Sequence, residues 1–102
     1  MEEALNTLLQ AIQHYQPQRI ILFGSTARGE ADAESDLDVL VIKETSEPFV
    51  QRLEAMARLC PPGVHADILV YTPEELECMV EDGNPFILQA LEEGKVIYEA
   101  QS

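Results

Sequence analysis

Basic residues are scarce in this chain: six Lys+Arg stand against 19 Asp+Glu over 102 residues, a formal charge of −13. A face that grips nucleic-acid phosphates needs clustered Lys and Arg, and six dispersed cations do not make one. The same shortage disfavours an anionic membrane surface. No apolar stretch approaches the roughly 20 residues of a membrane-spanning helix. The two cysteines, Cys60 and Cys78, form no Cys-x-x-Cys and suggest no disulfide framework. His14 and His65 stand too far apart to suggest a zinc site. Met1-Glu2-Glu3-Ala4 lacks the basic start of a signal peptide, so a cytoplasmic protein is expected. What remains is a chain sized for one domain over residues 1–102, with 46% hydrophobic residues, as in a folded protein rather than an acidic tail. Such a domain still suits cations, a basic partner protein, or a nucleotide escorted by metal.

Periodicity divides the chain cleanly. Leu5, Leu8, Leu9, Ile12 and Tyr15 fall at helical spacing over residues 3–16, and Pro17 ends that helix. Arg19 to Phe23 reads as a buried strand that stops at Gly24-Ser25. A polar connection over 26–35 leads to a second strand from Leu37 to Lys43. Thr45 and Ser46 offer a cap for a helix marked by Phe49, Leu53, Met56 and Cys60, closed by Pro61-Pro62-Gly63. Val64 to Tyr71 is a third strand, and Thr72-Pro73-Glu74-Glu75 carries a capping box with proline at the first helical position. Gly83 ends that helix, Asn84-Pro85 begins another that stops at Gly94, and Val96-Ile97-Tyr98 makes a short last strand. The order predicts an α+β (α/β) fold: a small mixed sheet of three to four strands with helices mainly on one face. Met56, Leu59, Met79 and Val80 are expected in the core, and Phe86 to Leu91 either lie there with them or form in part a partner interface.

Three features carry chemistry. Gly24-Ser25 follows a strand, where glycine lets a backbone approach a phosphate and turn amides and a hydroxyl donate to it; alone it is an ordinary turn. Asp36 and Asp38, two apart on a strand, put carboxylates on one face. Such a pair either binds a divalent cation through hard oxygens, or splits into one strand-entrance cap and one solvated aspartate. Asp67 opens an otherwise apolar strand, a place for a rim charge or a metal ligand. An antiparallel pairing of the first two strands, with a helical crossover to a parallel third, sets Asp67 beside Asp36 and Asp38, opposite the Gly-Ser turn. That rim reads as a phosphoryl-transfer site with two metals stabilising entering and leaving oxygens. Arg28, the only cation between Arg19 and Lys43, is either a phosphate contact or an exposed partner of Glu30 or Glu34.

Gly24-Ser25-Thr26-Ala27-Arg28-Gly29 followed by Ser35-Asp36-Leu37-Asp38-Val39-Leu40-Val41 resembles the signature of the DNA polymerase β-like nucleotidyltransferase superfamily: Gly-Ser, ten residues, Asp-x-Asp. Chance produces this spacing in about one chain in a thousand of this length. The resemblance extends to Asp67 and its strand, to Thr72-Pro73-Glu74-Glu75-Leu76, and to the ending from Asn84 through Glu99, so nearly all of the chain is covered. It is closest in kind to the minimal nucleotidyltransferases, antitoxin partners of small helical HEPN toxins. The resemblance implies that Gly24 and Ser25 hold the triphosphate, with Arg28 a further contact, and that Asp36, Asp38 and Asp67 hold Mg²⁺ (two ions, with Mn²⁺ as the substitute). It also implies AMP transfer from ATP to a tyrosine of the toxin. Larger relatives add a helical acceptor domain that this sequence does not show, so the acceptor surface is expected from a partner. Two alternatives stand beside this: an antitoxin that works by steric cover, and a small-molecule nucleotidyltransferase.

Overall fold

The computed structural model describes residues 2–24 and 37–100. The elements are α1 (Glu2–Gln13), β1 (Arg19–Phe23), β2 (Leu37–Ile42), α2 (Phe49–Leu59), β3 (Ala66–Tyr71), α3 (Pro73–Glu81), α4 (Pro85–Glu93) and β4 (Lys95–Glu99). The four strands form one mixed sheet in the order β3-β2-β1-β4. β1 pairs antiparallel with β2 and with β4, while β3 lies parallel to β2 behind the α2 crossover. This is the topology expected from the connection lengths.

Period-two alternation gives the sheet two apolar faces. Ile20, Leu22, Leu37, Val39, Val41, Ile68 and Val70 pack with Leu8 and Ile12 of α1 and Met56 of α2. Ile21, Phe23, Leu40 and Ile42 pack with Ala90 of α4, joined by Leu69, Leu76 and Leu91. The helices therefore divide between both faces, where the sequence pattern predicts them mainly on one. The reason lies in the strands: the β1 and β2 cores are apolar on consecutive residues, so each face needs a cover. Leu8, Ile12 and Ile87 are wholly buried, each contributing about 1.5–3 kcal/mol.

Local signals place the helices. Thr72 caps α3 by accepting from the Glu75 N–H, Glu75 returns the bond to the Thr72 N–H, and Pro73 follows at the first position. Asn84 caps α4 through the N–H groups of Phe86 and Ile87. α2 differs from expectation. It starts at Phe49 behind Pro48 with no side-chain cap, and Thr45 instead accepts from the Glu47 N–H within the preceding turn. Val80 also departs from the expected core, at 38% exposed, and Phe86 and Leu88 are exposed beside the buried Ile87 and Ala90. No helix among the described residues is long and apolar enough to cross a membrane.

Candidate active site

Strand register assembles the acidic rim. Asp38, second residue of β2, stands opposite Asp67 of β3 in the parallel ladder and opposite Phe23 of β1 in the antiparallel one. Alternation puts Asp38 on the face of Leu40 and Ile42, and Asp67 on the face of Leu69 and Tyr71, so both carboxylates leave the sheet on the α4 side. Asp67 is exposed and Asp38 half-buried.

Gly24 closes the rim at the end of β1. Its φ of +74° lies in the left-handed region, and a Cβ built there would collide with Asp38 Oδ2 and sit 3.1 Å from Asp38 Cγ. The Asp38 carboxylate thus lies directly against the Gly24 backbone, space that any side chain would fill. Beside Gly24 opens a small cleft of about 160 Å³, walled by Phe23, Phe86, Ala90, Gln89 and Glu93. Phe86 meets Phe23 edge to face at 5.6 Å, which holds an aromatic wall next to the turn.

Two neighbouring carboxylates and a backbone cradle are hard oxygen donors suited to Mg²⁺ or Mn²⁺. Among the described residues no group of three ligand-type side chains gathers. The remaining candidates from sequence (Ser25, Arg28 and Asp36) lie outside the described residues. Of the predicted set, Gly24, Asp38 and Asp67 are brought together.

A second constellation, not foreseen from sequence, occupies the opposite rim. Arg52 of α2 is 5% exposed, and four of its five guanidinium N–H donors are engaged. Nε donates to the Glu47 carbonyl at 2.8 Å, Nη1 to the Val70 carbonyl at 3.3 Å, and Nη1 and Nη2 to the Glu75 carboxylate at 2.6 and 3.2 Å. That fork holds the Glu75 carboxyl below its ordinary range, mainly through the Arg52 hydrogen bond. Next to it Phe49 stacks on Tyr71, centroids 5.4 Å apart. These residues line a groove of about 720 Å³ that also takes in Glu44, Thr45, Thr72, Glu74, Cys78 and Met79. The signal existed: Arg52 shares the spacing of Phe49, Leu53 and Met56 and so falls on the inner stripe of α2.

A family model described as "Polymerase beta, Nucleotidyltransferase" matches residues 6–102. The Methanocaldococcus jannaschii protein named "Putative protein adenylyltransferase MJ0604" is 35% identical over 81 residues, which span 79% of this chain and 78% of that one. A crystal structure of a toxin-antitoxin with AMP-PNP superposes with a TM-score of 0.66 at 22% identity, over 94% of this chain and 73% of that one. A nucleotidyltransferase structure from Sulfolobus solfataricus, its function named there as putative, gives 0.56 at 15% identity, over 94% and 86%. The two structures share the fold.

Proposed function

The chain belongs to the polymerase β nucleotidyltransferase family, and from that premise we propose that it transfers AMP from ATP to a hydroxyl of a partner protein, a tyrosine of a HEPN-type toxin. The observation that carries this reading is the in-register Asp38–Asp67 pair set against Gly24. Asp36, two residues before Asp38 in the sequence, is taken as the third carboxylate on that spacing alone. Asp36, Asp38 and Asp67 would hold a divalent metal, which when bound would neutralise the triphosphate and the charge that develops on transfer. Gly24 offers close backbone approach to the phosphates, Ser25 a hydroxyl donor and Arg28 a positive charge. Asp67 lies on the outer strand, where an acceptor hydroxyl can approach and leave its proton. The acceptor oxygen bonds to the α-phosphorus as the bond to the bridging oxygen breaks, and pyrophosphate departs.

The related adenylyltransferase name favours a protein acceptor and the toxin-antitoxin complex favours a toxin. The acidic surface, with its −13 charge, suits a basic partner and not a nucleic-acid template. Incubation with ATP, Mg²⁺ and a HEPN toxin is expected to add one or more AMP units, read by intact mass. Asp38→Asn should abolish the gain while moving the urea midpoint little, because this half-exposed carboxylate is outside both apolar clusters. Protection from the toxin by that variant, with no mass gain even for the wild type, would replace the enzyme by a steric antitoxin.

A further inference from the structure

The groove on the far rim lies about 13 Å along β3 from Asp67, four residues at strand rise. It is too distant to be part of the acidic rim. Its volume is that of a ligand or side-chain pocket, and its floor is apolar: Phe49, Tyr71 and Met79. The charges decide what fits. Among the described residues Arg52 is the only cation in the lining; it is buried, and four of its five N–H donors go to Glu47, Val70 and Glu75. Lys43, the nearest basic residue in sequence, points elsewhere, its Nζ donating to the Gln16 carbonyl over the Tyr15 ring. The exposed Glu44 and Glu74 carboxylates therefore set the sign at the mouth. An anion meets only neutral hydroxyls (Thr45, Tyr71 and Thr72) and a buried guanidinium already paired with a carboxylate, whereas a cation with an aliphatic stem finds an aromatic floor and two exposed carboxylates.

We infer that this groove is a docking site for a basic, partly apolar segment of the acceptor protein, remote from the transfer site. The inference rests on the proposed protein acceptor. It separates recognition from chemistry: the partner is held at one end of the sheet and modified at the other. Charge at the mouth accelerates encounter and the apolar floor slows release.

The test uses the full chain, ¹⁵N-labelled, with a short amphipathic Lys/Leu peptide as probe. Amide shifts are expected to concentrate at Phe49, Tyr71, Cys78 and Met79. Glu44→Gln/Glu74→Gln should weaken the peptide about tenfold, the combined effect of losing two exposed complementary charges. Glu3→Gln/Glu92→Gln, an exposed pair with the same charge change, should not. Diffuse shifts, or equal weakening by both pairs, would overturn the inference in favour of bulk attraction to an acidic protein. The same footprint from spermine alone would make the occupant a small polyamine, and a dimer broken by the groove variant would make it a second copy; either refutes a partner segment. Mn²⁺–ATP affinity, measured alongside, reports on the acidic rim separately. Its absence in the wild type would sink the transferase reading, whereas Asp38→Asn should leave peptide binding intact.

Discussion

Adding one methyl group at Gly24 tests whether backbone and carboxylate work as a unit. Gly24→Ala carries two costs. A non-glycine residue at φ +74° pays about 1–2 kcal/mol, offset by about 0.4–1 kcal/mol from a stiffer unfolded chain. The net is about 1 kcal/mol, or a urea midpoint lowered by about 0.5–1 M. The second cost is local, since the new Cβ takes the space of Asp38 Oδ2 and turns that carboxylate away. Gly63 and Gly83 serve as internal controls, with φ of +84° and +72° and, among the described residues, nothing within 4 Å of a built Cβ. Their alanine variants should share the stability loss and keep full Mn²⁺–ATP affinity. Gly24→Ala should lose about 10–100-fold in that affinity, the scale on which positioning partners act at metal sites. Calorimetric titration beside urea unfolding separates the two effects. Unchanged affinity in Gly24→Ala, or an equal loss in Gly83→Ala, would refute the coupling of Gly24 to Asp38.

Two further outcomes follow from the far rim. Glu75 has a folded-state pKa lowered from 4.5, so its pairing with Arg52 stabilises fully above that value and the gain is lost as pH falls through the lowered one. Glu75→Gln keeps the capping bond but not the charge, so the gap in unfolding free energy between wild type and variant should be flat from neutral pH to about 5 and close below; a gap that persists unchanged into acid would refute the assignment. The Tyr15 hydroxyl is buried with no hydrogen-bond partner among the described residues, and burial raises its pKa. Tyr15→Phe should therefore be neutral or stabilising by up to about 1 kcal/mol, and a clear loss of stability by urea unfolding would show that the hydroxyl is satisfied after all.

Much of the acidic rim was legible because its determinants are local. Strand boundaries follow from apolar runs, pairing direction from connection length, and the meeting of Asp38 with Asp67 from the two together. The second sheet face was less legible, since a strand apolar on both sides does not say which helix covers which side. Arg52 was harder still. Its position on the inner stripe of α2 is readable, but its partner Glu75 is 23 residues away and already accounted for by the capping box. Long-range polar pairing leaves no periodic trace. Thr45 and Ser46 misled for a different reason: good caps stood near the helix, yet Pro48, extended at ψ 151°, fixed where it begins.

The bond from Arg52 to the Val70 carbonyl has a consequence for the sheet margin. β3 is an outer strand, and the carbonyls of His65 and Tyr71 accept from the N–H groups of Leu37 in β2 and Lys43 just beyond it, which turns the Val70 carbonyl away from the sheet. An outer strand offers such groups as a template on which a stray chain can add itself. Here a guanidinium already occupies one rung near the end of that template, held there by a carboxylate. The ion pair thus acts as a stopper on the ladder: a strand arriving from solution must displace a buried charge before it can propagate along β3.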